Sequence, residues 1–595
     1  MSVRPLLRRF LPAALPTILL GAVAAAPAPL PPPVPAAQTP APKTRAPDST
    51  DLPPYVSPDG ETKGSPHRGG TLRLTADAGA GTADPQINYI SEMIQLTANV
   101  YDGLTTFSKH PGDASNVPVA DLAEALPPPE DGGLTYTFRL RPGIRFSNGH
   151  VLDVNDVVAS FQRIFKVNSP TAGGFYGGIV GAAACLKDSA HCTLAGGVVG
   201  DEKAGTITFH LTHPDAEFFD KLAFPHAYIL PADTPPHDLG NDAPPGTGPY
   251  RIASYDPNRQ MIVDRNPFFH VWSAEAQPDG YVDRMVYSFG LSDEAETTAT
   301  INGDFDYMYD NVPLDRYGEL GDTVPDQVHI NPVYATYYLP LNTHLPPFNN
   351  LKARWAINYA VNRRAMQTFM GGPAVADVLC QTVPKGLPGH EPFCPYTKGA
   401  DFQHPAKQWT APDLALARKL VEESGTKGMH VTLVVPNRAV EIAMGTDLQN
   451  TLRRIGYDAD VKPIAFAIQF TYIQNTNNNV QISINDWFAD YPEPSDFLTA
   501  LFGCENFHPG SDSSPNISGF CDPTFQDLIH RAALTSVTDK AAGNKLWAEA
   551  DRRLAEEAPT VPLIQFRKIE LVSKRLGNFY TTNLYHLLFS QAWVK

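Results

Sequence analysis

Positive charge, catalytic signatures and cysteine are all scarce in this 595-residue chain, and each scarcity excludes something. The 46 Lys and Arg are outnumbered by 63 Asp and Glu, a formal net charge of -17, and the basic residues are scattered. Nucleic acid and anionic membranes are held by basic patches, so neither is a main partner. There is no HExxH, no GxSxG, no Walker loop and no kinase set, which removes the catalytic arrangements most easily read from a sequence. Gly246-Thr247-Gly248 has neither the GxGxxG spacing nor the β-α flanks of a nucleotide loop and reads as a tight turn. No cofactor is implied. Carboxylate pairs such as Asp490 with Glu493, or Asp486 with Asp490, leave a secreted carboxylate-dependent hydrolase as an alternative function. No repeat period is visible.

The six cysteines are Cys185, Cys192, Cys380, Cys394, Cys504 and Cys521. None follows the amino-terminal apolar run, where a bacterial lipoprotein carries its lipid, so no lipid anchor is readable. Six cysteines allow 15 pairings, and their clustering favours three local disulfides, Cys185 with Cys192, Cys380 with Cys394 and Cys504 with Cys521. Each such loop stabilises by roughly 2 to 3 kcal/mol. The competing metal reading, with His191 beside Cys192 and His390 near Cys394, lacks paired CxxC or HxxxH spacing.

At the amino terminus Arg4, Arg8 and Arg9 precede an apolar run over residues 10–25 and small residues over 22–26. Residues 1–26 therefore read as a cleaved secretory signal, which places the mature protein outside the cytoplasm. Residues 27–66 are dominated by Pro, Ala, Ser and Thr and read as a disordered tether that cannot form a core. The folded part is expected to start near Gly69-Gly70. With 43% hydrophobic residues it is long enough for two or three domains.

Strands are expected at TLRLT from Thr71, at LTYTFRL from Leu134, in a hairpin with Ile144 and Phe146, and at ITFHL from Ile207. Further strands are expected at residues 431–435, 459–463 and 560–566. Helices are expected over residues 91–100, after the capping pair Asp153 and Asp156, over 351–369, from Asp413 to Gly425, over 448–455 and over 541–557. The second half alternates helix and strand as an α/β layer does.

The stretch ISINDWFADYPEPSDFLTALF, residues 482–502, starts as a strand, breaks at Tyr491 to Pro494, and resumes as a short helix that Ser495 is positioned to cap. Trp487, Asp490 and Tyr491 fall where a strand end presents an aromatic wall, an anion and a hydroxyl to one cleft, with Asp490 receiving a cation. The competing reading is that Trp487 and Phe502 are core and Asp490 a solvated turn residue.

Seven landmarks recur in one order over residues 69–579. They are GGTL at Gly69; Asp84-Pro85 followed by VYDGL at Val100; TYTFRLRPGIRFSNG with DVNDVVASFQRI; GTGPY at Gly246 with RNPFF; LNTHLPPFNNLKARWAINYAVNR; ALARKLVEESG; and DWFADYPEPSDFL. In this the chain resembles the extracytoplasmic solute-binding proteins of ABC importers, in the oligopeptide and dipeptide group of family 5. The resemblance implies an α/β, two-lobed periplasmic-binding-protein-like fold, a hinged clamp of mixed sheets with an extra subdomain inserted in lobe I. It divides the chain into lobe I at 67–101, 241–335 and 559–595, the inserted subdomain at 102–240, and lobe II at 336–558. It implies a monomeric, non-enzymatic receptor that captures peptides or small amino-containing solutes and delivers them to an ABC permease in the membrane. Relatives that bind sugars, metal chelates, lipids or metabolites keep a non-peptide ligand as an alternative.

In that family an extended peptide pairs through its backbone with a strand from each lobe. By position one strand is Asp486, Trp487 and Phe488, and the facing segment is Tyr89, Ile90 and Ser91. Asp490 matches the aspartate that holds the peptide's α-ammonium group, a charge-assisted bond whose loss is expected to cost roughly 2 to 5 kcal/mol of binding.

Overall fold

The computed structural model describes residues 60–595 apart from 78, 80 and 513, all within one compact unit, Pro40–Lys595. The expected signal segment and most of the expected tether lie outside the described residues. Within the last part of that tether, Thr62 is buried and its hydroxyl donates to Asp279 Oδ2 at 2.7 Å and to the Gly280 carbonyl at 2.8 Å. The packed chain thus begins before Gly69-Gly70, because this hydroxyl finds two buried acceptors that composition does not reveal. No helix among the described residues is long and apolar enough to cross a membrane.

A nine-stranded mixed sheet forms the frame. Its strands lie in the order Asn485–Phe488, Val328–Pro340, Thr560–Val572, Tyr307–Met308, Thr71–Ala76, Arg284–Phe289, Gln260–Arg265 and Tyr250–Asp256, with Ala376–Val378 also paired to Thr560–Val572. Thr71–Ala76 runs parallel to both its neighbours, and the other ladders are antiparallel. The two long strands Val328–Pro340 and Thr560–Val572 shift register between Pro332 and Thr336, where a residue without an amide N–H interrupts the ladder.

The expected α/β layer is present. His430–Pro436 and Asp458–Ile464 pair in parallel across the helix Ala439–Ile455, and Ile482–Ser483 adds a third parallel strand. Their apolar faces share a core with Ile357, Val421 and Leu563. A separate core joins the three-stranded sheet of Thr135–Arg139, Thr206–His210 and Val198–Asp201 to the helix Val154–Lys166. That helix starts as expected: Asp153 accepts from the Asn155 and Asp156 amides, and Asp156 accepts from the Asp153 amide.

Three expectations are corrected. Thr135–Arg139 pairs with Thr206–His210, not in a hairpin with Ile144 and Phe146, because the Arg141-Pro142-Gly143 turn carries the chain away from the sheet. The helix expected over 351–369 is two, Leu351–Ala360 and Arg363–Phe369, with Asn362 capping the second through the Ala365 amide at 3.2 Å. The helix at Ser91 ends at Thr97.

The three expected disulfides form, Cys185 with Cys192, Cys380 with Cys394 and Cys504 with Cys521, and no cysteine is free. The VYDGL and GTGPY motifs meet: Thr247 donates to buried Asp102 at 2.5 Å, and a Cβ on Gly246 would lie 2.1 Å from the Val100 carbonyl oxygen. Glycine is required there for close approach between two segments.

Candidate functional site

The stretch 482–502 joins two sheets within a few residues. Ile482–Ser483 belongs to the small parallel sheet, and the Ile484 amide donates to the Val434 carbonyl at 2.9 Å. Asn485–Phe488 then becomes the edge strand of the large sheet, paired among the described residues on one side only, with Val328–Pro340. The alternation of the strand sorts its side chains: Asn485 and Trp487 are buried, Asp486 and Phe488 half-buried.

Trp487 does not line an open wall. It packs in a core with Phe497, Leu501 and Trp547, and its indole N–H donates to Asp496 Oδ2 at 3.2 Å. The same oxygen accepts the Asp490 amide at 2.9 Å. Asp496, fully buried, therefore holds the turn after the strand in one shape. Ser495 does not cap the helix Ser495–Phe502; its hydroxyl donates to the Tyr491 hydroxyl at 3.2 Å. Tyr491 is buried in a cluster with Phe107, Tyr580 and Tyr585, edge-on to Phe175. Glu493 pairs with the exposed Lys540 at 2.6 Å.

Asp490 and Tyr89, 401 residues apart in sequence, meet: the Tyr89 hydroxyl donates to Asp490 Oδ2. The Tyr89 ring is held by Phe224 at 5.6 Å and by His226 at 5.2 Å. The Asp490 carboxyl is partly covered at its surface yet deeply enclosed by protein. Burial pushes its pKa up to about 7 against the opposing effect of the Tyr89 bond. Ile90 is exposed, and Ser91 opens the helix Ser91–Thr97 beside Tyr309. Two of the expected residues, Trp487 and Tyr491, thus point into cores, while Asp490 and Tyr89 come together.

Further along the same wall, burial and then repulsion from Glu441 raise Asp486 to about 6. Glu92 is raised to about 7, chiefly by burial, with Lys568 opposing. The Lys568 ammonium lies 3.4 Å from the Tyr309 ring centroid, and burial lowers its pKa. Phe488 stands edge-on to Phe566 at 5.3 Å and His586 at 6.2 Å. Asp496, Glu92 and Lys568 were not anticipated. Asp496 stands inside the DWFADYPEPSDF motif, where a second acid close to Asp490 was the available signal. Glu92 and Lys568 are brought near each other from opposite ends of the chain, and no local pattern marks them.

An edge strand offers one row of unpaired amides and carbonyls, which suits an extended backbone laid beside it. A carboxylate held by a single hydroxyl at the end of that strand suits an ammonium group.

A family model described as bacterial extracellular solute-binding proteins, family 5 middle, matches residues 117–509. The periplasmic oligopeptide-binding protein OppA of Salmonella typhimurium is 24% identical over 492 residues, 76% of this chain and 81% of the relative. Among solved structures, the clavulanic acid biosynthesis oligopeptide binding protein 2 is similar with a TM-score of 0.77 at 25% identity, covering 89% of this chain and 96% of its own. The Helicobacter pylori periplasmic binding protein DppA in complex with the peptide STSA is similar with a TM-score of 0.74 at 21% identity, covering 89% and 98%.

Proposed function

The chain belongs to the bacterial extracellular solute-binding proteins of family 5, and from that premise we propose that it is the extracytoplasmic receptor of an ABC transporter, capturing a peptide between two lobes and passing it to a membrane permease. The observation that carries this reading is the Tyr89 to Asp490 hydrogen bond at the end of the edge strand Asn485–Phe488. The ligand's ammonium group takes the place beside Asp490, and its backbone pairs with the free edge at Asp486 and Phe488. Tyr89 carries the facing segment with Ile90 and Ser91. The lobes follow the division at residues 101, 240, 335 and 558. The protein acts as a monomer and makes or breaks no covalent bond in its ligand. The oligopeptide-binding relative supports the peptide as ligand class.

Thermal melting of the protein with a peptide library, alongside Asp490→Ala, tests this. A ligand stabilises by RT ln(1 + [L]/Kd), so a bound peptide raises the melting temperature of the parent and far less that of the variant. Equal shifts in both proteins would remove Asp490 from the site, and no shift with any peptide would refute the ligand class.

A further inference from the structure

Two groups of side chains bring three possible ligand atoms each within 4.8 Å of one another: His150, Asp153 and Asp156, and Asp77, Asp293 and Asp310. The first is a helix start, in which Asp153 accepts two amides and Asp156 accepts the Asp153 and Ala232 amides and faces the His150 ring. The second is explained only in part, by the Asp77 amide that Asp310 accepts and by the place of Asp293 in the first turn of a helix. The helix Asp293–Asn302 is capped by Ser292, through the Ala295 amide, and not by these carboxylates.

The sheet assembles the second group. Thr71–Ala76 and Tyr307–Met308 are parallel with Thr75 opposite Met308, so Asp77 and Asp310 follow at matching positions beyond their ends. The Asp77 amide donates to Asp310 Oδ2 at 2.7 Å. Asp293 and Glu296 are three residues apart on one face of the helix. Glu296 is fully buried: Oε1 accepts the Thr75 hydroxyl at 2.8 Å, and Oε2 has no hydrogen-bond partner among the described residues. Thr75, which holds Oε1, lies on its strand two residues before Asp77, and the charged groups acting on Glu296 are Asp310, then Asp77, then Asp293, so Glu296 stands behind the three-aspartate group. None of the four carboxylates forms a salt bridge among the described residues.

We infer that Asp77, Asp293 and Asp310, backed by Glu296, form a binding site for a hard divalent cation, with Ca²⁺ the fitting ion. Oxygen-only donors suit Ca²⁺ or Mg²⁺ over softer metals, and the adaptable sphere of Ca²⁺, with six to eight oxygens at about 2.3 to 2.6 Å, tolerates irregular spacing. The pocket beside the cluster, lined also by Gly290, Leu291 and Pro313, leaves room for the waters that complete such a sphere. An ion there ties the ends of two strands to the first turn of the helix. Arg438 is the rival cation, because its charge acts on Asp293 and Asp310, although its guanidinium lies 3.4 Å from the Phe466 ring centroid.

Terbium luminescence tests the site in the chelator-treated full chain, since Tyr287 and Tyr309 lie close enough to the cluster to sensitise the ion. The expected result is a saturable Tb³⁺ signal displaced by Ca²⁺, with Ca²⁺ also raising the melting temperature. Asp293→Asn combined with Asp310→Asn is expected to weaken both responses at least about tenfold, and Asp188→Asn, an exposed control, to leave them unchanged. The titration of the unmodified protein decides the matter even if the double variant fails to fold. Absence of a Ca²⁺-displaceable signal there, or equal signals in parent and folded double variant, overturns the site. Binding seen only in Arg438→Ala also overturns it and assigns the cluster to Arg438.

Discussion

The start of the helix Val154–Lys166 and the turn after Asn485–Phe488 are built from the same materials, aspartates beside aromatic residues, and they do different work. At the helix start the carboxylates accept the amides that the first helical turn leaves unpaired, so their charge is used up within the fold. At the turn the labour is divided. Asp496 accepts the Asp490 amide and the Trp487 indole, while Asp490 accepts one side-chain hydroxyl and stands half-buried. Acidic composition does not tell these two settings apart, but the number of hydrogen bonds accepted does: two each at Asp153 and Asp496, against one at Asp490.

The largest expected effect is at Asp490. Asp490→Ala should weaken peptide binding by about 2 to 5 kcal/mol, measured by calorimetry, without lowering the stability of the ligand-free protein. A fall in stability with affinity intact would reverse the comparison.

The next effect is pH dependence. An unfolded aspartate titrates near 4, whereas Asp490 in the fold is raised to about 7. Between those values the folded protein holds the extra proton, so this group favours folding at the acidic end, and its contribution is lost as pH rises through about 7. A ligand ammonium favours the ionised carboxyl, so affinity should rise roughly fivefold from pH 6 to pH 7, with proton release on binding at pH 6, before the peptide's own α-ammonium begins to lose its proton near pH 8. Asp490→Asn should give a nearly flat profile between pH 6 and pH 7, and a rise there in that variant would assign the titration to another group.

Asp153→Ala is the converse. Loss of the cap should destabilise the protein by about 1 kcal/mol in denaturant melts and leave peptide affinity unchanged. Changed affinity would show that the helix start communicates with the site. The smallest effect is expected for Tyr89→Phe, which removes one hydrogen bond to the Asp490 carboxyl. Affinity should fall by about 0.5 to 1 kcal/mol, with the midpoint of the pH profile moving upward. An unshifted midpoint would show that Tyr89 does not tune Asp490.

Much of this protein was legible because local chemistry announces local structure. The Asp153 and Asp156 capping pair, the alternation of TLRLT and the Cys185 with Cys192 spacing each involve residues close in sequence, whose geometry is settled by neighbouring backbone. Even Asp490 could be singled out by its place in a motif. Tertiary structure alone decided which partners each group meets. It turned Trp487 and Tyr491 into cores, moved the partner of Thr135–Arg139 to Thr206–His210, and gave Asp490 the hydroxyl of Tyr89. It also gathered Asp77, Asp293 and Asp310 beyond the ends of two strands, with Glu296 buried behind them. The reason is that burial and charge act through space. A carboxylate's pKa and its role depend on which distant segments close over it, and that information lies in the packing of the whole chain.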